Sequence, residues 1–413
     1  RSQNVYPDAS PPLVWDVAKN VNVAWTAPVV LRSEPIVVGD RLLAVAEPFD
    51  LVCLDKNSGK ELWRRPTSVF ETISPEAQKQ WESAKSDDQK LAVVRAHVPG
   101  AAKLKALDRY ARTAPVSDGK RVFVHFATGV AACYDLDGRR QWIARTGVGN
   151  AALTLHGSDL IVEGATTPDW AKEQGLSGEG MTGKTFGRPG HNYGSGAGGP
   201  KREISGKQHG LVFLDVSSGK KLGALAARGD FAGPPFQLPL RNGSRHVDLL
   251  VTRGGDLIDL ARREALEQAV QTDPDWDWLG VVRGGDTLYC AHEGGESAIR
   301  FWIDAAGQVG YRPLWSSQRL HAYVAGGPGE TLCLGDKLYA LRFPPEHAKH
   351  SPAYALSLDQ YDARTGQPIA RRNPVLKGSN AHFSLVAAGN YLFIPERRGA
   401  PHTGGTSDQR HVV

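Results

Sequence analysis

The sequence predicts an all-β fold, a single seven-bladed β-propeller, and three observations carry that expectation. A unit of four short strands recurs along the 413 residues. Glycine and proline, 46 and 26 of them, supply abundant turns. Closed all-β assemblies are also the architecture that runs to this length as one unit, where a helical or α/β chain divides. With 41% hydrophobic and 23% charged residues, the composition is that of a globular protein and excludes a disordered or collagen-like chain.

The first full unit is the clearest. Val37-Val38 is followed by a Gly39-Asp40 turn and the apolar run Arg41-Leu42-Leu43-Ala44-Val45; then come Leu51-Val52-Cys53-Leu54-Asp55, a Ser58-Gly59-Lys60 turn and Glu61-Leu62-Trp63. The second unit repeats it: Ala114-Pro115-Val116, a turn at Asp118-Gly119-Lys120, Arg121-Val122-Phe123-Val124, Ala131-Ala132-Cys133-Tyr134-Asp135, a turn at Asp137-Gly138-Arg139 and Gln141-Trp142. Gly39 to Trp63 spans 24 residues and Gly119 to Trp142 spans 23, a coincidence that chance alternation seldom gives. A third unit begins at Leu155-His156-Gly157-Ser158-Asp159, is interrupted, and resumes at Leu211-Val212-Phe213-Leu214-Asp215, with Gly223 at its Trp position. Weaker copies follow over 247–260, 281–311 and 332–370, and a last begins at Ala388-Gly389-Asn390. That makes seven. The last lacks an outer strand, and Asn22-Val23-Ala24-Trp25 is expected to supply it, so that the N- and C-terminal strands close one domain over 1–413 and leave no free sheet edge. A chain starting at Arg1 without Met and ending in mid-strand is expected to be a processed part of a longer one.

The run Asp55-Lys56-Asn57-Ser58-Gly59-Lys60-Glu61-Leu62-Trp63 resembles the tryptophan-docking repeat of the pyrroloquinoline quinone (PQQ)-like, or quinoprotein alcohol dehydrogenase-like, propellers, which include bacterial non-enzymatic BamB-like repeat proteins. The resemblance implies that Trp25, Trp63 and Trp142 dock blade to blade. Trp170, in an interruption, is expected to matter much less to stability. Asp55, Asp135 and Asp215 are expected to hold turn amides, and Cys53 and Cys133, in one register of successive blades, to be small buried hydrophobes.

In a four-strand meander the turns after strands one and three lie on one face, and those after two and four on the other. The Gly-Asp and Ser-Gly-Lys turns are all of the first kind, and the long insertions all of the second. The insertion over 64–112 reads as partly helical. Ser74-Pro75-Glu76 has the form of an N-cap with Pro at the first helical position, with Trp81, Ala84, Leu91 and Val94 facing the sheets and a second short helix carrying Leu104, Leu107 and Tyr110 or Ala111. The insertion over 164–209 is Gly-rich and too poor in apolar residues to make a core. His191, Tyr193, Glu203, His209, Arg397, Arg398 and His402 are the ligand-binding candidates on this face, and His191, His209 and His402 the candidate metal ligands.

A PQQ-dependent dehydrogenase of the resembling family usually has eight blades and often a vicinal disulfide over the quinone. Here no two cysteines are adjacent. No GxSxG, HExxH or phosphate loop is present either. A net charge of +5 spread along the chain offers nucleic acid no basic block, and no stretch approaches the ~20 apolar residues of a spanning helix. The expectation is a periplasmic or secreted monomer without redox chemistry of its own, binding a protein partner or a carbohydrate or small-molecule ligand through the insertion face and channel. The alternative is an enzyme in that channel, with PQQ as cofactor or with a divalent metal as in polysaccharide lyases and hydrolases.

Overall fold

The computed structural model describes residues 5–14, 16–29, 31, 33–98, 110–166, 170–174, 208–227, 235–252, 255–270, 280–292, 295–318, 331–342, 354–378, 382–383, 385–393 and 396–397. Among them stand six four-stranded sheets in which each strand pairs with the next in sequence. The first is Ile36–Val38, Arg41–Ala46, Asp50–Asp55 and Glu61–Pro66. The second is Val116–Ser117, Arg121–Phe126, Val130–Asp135 and Arg140–Arg145. The third is Gly149–His156, Asp159–Thr166, Gln208–Asp215 and Lys221–Ala227. The fourth is Phe236–Asn242, Arg245–Val251, Asp256–Asp259 and Glu264–Ala269. The fifth is Gly280–Gly284, Thr287–His292, Gly295–Ile303 and Val309–Gln318. The sixth is Thr331–Leu334, Lys337–Arg342, Tyr354–Asp362 and Pro368–Gly378. These are propeller blades at the positions where the repeats fall.

Contacts divide the chain into two compact units, one of residues 24–235 with 250–269, the other of 1–23, 236–249 and 270–413. In the first unit the inner strands are buried on both faces, as blades stacked on blades require. Val45, Leu51, Cys53, Val122, Val124 and Ala132 form one layer, Phe123, Cys133, Leu160, Val162 and Val212 the next, and Ile161, Leu211, Phe213, Leu250 and Ile258 a third. In the second unit Ala298, Leu338, Ala340 and Tyr361 make a corresponding layer. All four cysteines are free and buried, as expected of Cys53 and Cys133.

The Trp docks follow one rule. The Trp25 indole donates to the Lys56 carbonyl at 2.8 Å, Trp63 to Leu136 at 3.1 Å, and Trp142 to Val216 at 3.1 Å. Each accepting carbonyl follows the turn aspartate of the next sheet. These aspartates cap their turns as expected: Asp55 accepts from the Asn57 and Ser58 amides, Asp135 from Asp137 and Arg139, and Asp215 from Ser217 and Ser218. In the second unit Trp315, which sequence spacing does not single out, donates in the same way to Ala363, after Asp362.

Two expectations are corrected. Asn22–Trp25 forms no strand. The N-terminal strand is Val5–Tyr6, which runs parallel to Val386–Ala388 in a three-stranded sheet with Tyr391–Phe393. In the first insertion Ser74 caps α1, Pro75–Ser83. The chain then breaks instead of running on through Leu91, because Ser86 accepts the Gln89 amide and so caps a new helix, α2, Asp87–His97. Leu91 and Val94 are buried and Trp81 packs on Phe49 and Phe70, so the apolar side does face the sheets. Leu104 and Leu107 lie outside the described residues.

Candidate functional site

Both long insertions of the first unit leave from the ends of strands two and four, opposite the aspartate turns, and their roots define the described part of the candidate face. Tyr110, where the first insertion rejoins the sheets, donates its amide to Glu47 at 3.1 Å, and its carbonyl accepts the Ala127 amide at 3.0 Å. Glu47 and Ala127 follow the second strands of the first and second sheets, so the meander geometry is realised. Thr113 then donates its hydroxyl to the Ala151 carbonyl.

The root of the second insertion is a cradle of backbone. Thr146 and Gly147, leaving the second sheet, donate to the Gly129 carbonyl at 2.8 and 3.2 Å. A Cβ on Gly129 would lie 3.2 Å from Gly147, and one on Gly164 would lie 2.6 Å from the Gly149 carbonyl. Into this cradle goes Trp170, the first residue of α3, Trp170–Glu173. Its indole donates to the Thr146 carbonyl at 3.1 Å and its ring lies against Gly147 and Gly210. At 1% exposure it is the largest fully buried side chain among the described residues, so the expectation that it matters little is overturned. It lies within an insertion by sequence but anchors that insertion by packing.

Beside the cradle are buried polar side chains. His125 is fully buried; its Nε2 lies 3.2 Å from the Thr146 hydroxyl, and burial lowers its pKa to about 3, so the ring is neutral at ordinary pH. His209, at 5% exposure, belongs to the third strand of the third sheet instead of to a loop. It pairs with Ala165, while Glu163 pairs with Leu211, so His209 and the buried Glu163 share one face of that sheet. Glu163 was legible as the lone acid in the apolar run Leu160-Ile161-Val162-Glu163.

Arg397 pairs with His382 in a two-stranded ladder, and His191, Tyr193, Glu203, Arg398 and His402 lie outside the described residues. Of the named candidates, His209 alone therefore has described side-chain surroundings. Among the described residues no three His, Cys, Asp or Glu side chains converge as metal ligands. The docking indoles lie on glycines, and of the buried carboxylates Asp159 is engaged by Arg263 and Asp359 by Arg371 and the Tyr361 hydroxyl. Burial raises the Cys53 and Cys133 thiols to about 11 and about 12, which removes them as nucleophiles.

Residues 12–169 match the family model described as outer membrane protein assembly factor BamB. No curated protein matches the sequence. Among solved structures, the quinohemoprotein alcohol dehydrogenase of Comamonas testosteroni superposes with a TM-score of 0.50 at 13% identity, over 90% of this chain and 63% of that one. BamB of Moraxella catarrhalis gives 0.44 at 12% identity, over 88% and 79%. This chain thus spans less than two thirds of the dehydrogenase, and the likeness is one of fold. No helix among the described residues is long and apolar enough to cross a membrane. The family model over residues 12–169 takes in the first two docking motifs, and the ladder of four-stranded sheets with the superposition on the dehydrogenase shows a propeller fold.

Proposed function

We propose that the chain is a binding or scaffold propeller that engages a protein partner through its insertion-bearing face, without redox chemistry of its own. The observation that carries this is the division of labour between the two kinds of turn. Those after first and third strands are short, with the third-strand turns closed by aspartate caps and indole docks. The long connections, 67–115 and 167–207, follow a fourth and a second strand. Rigid blades that carry their long connections on one side are an arrangement for recognition. The family description, an outer membrane protein assembly factor, supports a protein partner and a periplasmic or secreted location. His191, Tyr193, Glu203 and His209 on the second insertion, with Arg397, Arg398 and His402 near the C-terminus, are the residues this reading assigns to contact.

Site-specific photo-crosslinking in the native cells tests it. A crosslinker at Thr128, beside the cradle, is expected to capture a partner, and one at Asn57, on an aspartate turn, is not. A parallel assay supplies PQQ with Ca²⁺ and follows dye reduction by primary alcohols and aldoses. Crosslinks confined to Asn57, or dye reduction that requires PQQ, would overturn the proposal.

A further inference from the structure

In the first and third sheets the turn after the third strand has one form. Asp55 or Asp215 caps it, and the glycine four residues on, Gly59 or Gly219, takes a positive φ of 69°. An indole from the preceding part of the chain lies on that glycine, so close that a Cβ on Gly219 would stand 2.6 Å from the Trp142 ring. The fourth sheet departs from this form in two places at once. Asp259 still accepts the Ala261 and Arg262 amides, but the glycine position holds Arg263, which keeps φ at 57°. Gly223 pairs with Phe213 as Trp63 pairs with Cys53, so it occupies the docking register; a Cβ there would meet nothing within 4 Å.

The two losses explain each other. With no indole to seat, a Cβ is tolerated at position 263, and the side chain that follows it crosses to the third sheet. Arg263 grips Asp159 with both ends of its fork, Nε to Oδ2 at 2.6 Å and Nη2 to Oδ1 at 2.9 Å, and the Asp159 side chain is 6% exposed. We infer that the Asp159–Arg263 pair is an ionic latch standing in for the missing indole between the third sheet and strands Asp256–Asp259 and Glu264–Ala269. It is the dock that opens first in the unit of residues 24–235 and 250–269. A docked indole holds by apolar contact and hardly responds to salt, whereas a pair with its arginine one-third exposed is weakened by screening. The sheet so held carries the connection 167–207, so the latch governs how firmly that insertion is rooted.

Hydrogen exchange on the intact chain tests this. Raising NaCl from about 0.05 to about 1 M shortens the Debye length from more than 10 to about 3 Å and is expected to accelerate exchange in Lys221–Ala227 and Asp256–Asp259 several-fold, with Arg41–Ala46 and Arg121–Phe126 unchanged. Arg263→Gly at low salt is expected to accelerate the same segments about tenfold or more, the equivalent of losing one charged hydrogen bond. Adding Gly223→Trp to Arg263→Gly is expected to restore protection and abolish the salt response. Uniform acceleration by salt, no acceleration at all, or a double variant no better protected than Arg263→Gly would each overturn the latch.

Discussion

Replacing Trp170 by Ala should destabilise the protein at least as much as replacing Trp63. Trp170 is 1% exposed and donates to the Thr146 carbonyl, while Trp63 is only partly buried. A Trp side chain buries about 200 Å², and at about 25 cal/mol per Å² the lost transfer free energy is about 5 kcal/mol. This is an upper figure, because an unfolded chain already hides part of that surface. Large-to-small substitutions of buried aromatics cost about 3–5 kcal/mol, and the orphaned Thr146 carbonyl adds about 1 kcal/mol. The backbone cradle of Gly129, Gly147 and Gly149 has no side chains that could collapse into the space, so the cost should lie at the upper end. Urea unfolding followed by far-ultraviolet circular dichroism provides the measurement. Trp302→Ala, at a residue 40% exposed, serves as the control and should cost less than half as much. A loss below about 1 kcal/mol for Trp170→Ala would show that the cradle does not hold the insertion, and the root of the candidate face would have to be sought elsewhere.

How far the molecule was legible in its sequence depends on how local each signal is. The turn aspartates and the Trp63 and Trp142 docks were readable because a short motif fixes both partners of the contact. Trp315 was missed because it lies further past its turn residue, Asp304, than Trp63 lies past Asp55, although its indole makes the same bond. Trp170 was misjudged for a different reason. Its partners, Gly147 and Gly210, come from both sides of the interruption, and no pattern within the interruption reveals them. The parallel pairing of Val5 with Ala387 is non-local in the same way, whereas Asn22–Trp25 carried a motif that fixes the Trp25 dock and no strand. For the candidate site, the sequence pointed to one face through the lengths of its connections. It placed His209 in a loop, since a single histidine at the edge of a Gly-rich run does not announce that it begins a buried strand.

Three further tests bear on the same architecture. Gly138→Ala would put a Cβ 2.7 Å from the Trp63 ring, whereas Gly119, also at positive φ, has nothing within 4 Å; chemical denaturation should therefore find Gly138→Ala costlier by about 1–3 kcal/mol beyond their shared backbone strain, and equal costs would refute the dock. The native protein should leave Cys53 and Cys133 unmodified by iodoacetamide at pH 8, since both are fully buried with raised thiol pKa values, and should expose them only in denaturant; modification of the folded chain would contradict this packing. The last test uses His125, whose pKa falls from 6.5 to about 3 because burial disfavours the imidazolium. Between those values the unfolded chain holds a proton on this ring that the folded chain does not. Its contribution is therefore fully present above about pH 6.5 and is lost as pH falls toward 3, at up to about 1.4 kcal/mol per pH unit. His125→Gln keeps a donor for the Thr146 hydroxyl but cannot titrate, so its stability relative to wild type should rise as the pH is lowered from 6.5 to 4. Urea midpoints of the two proteins at pH 7, 5 and 4 give the difference directly, other titrating groups being common to both. A difference that stays flat would mean that His125 accepts its proton within the fold, and that the polar layer beneath the insertion is open to water.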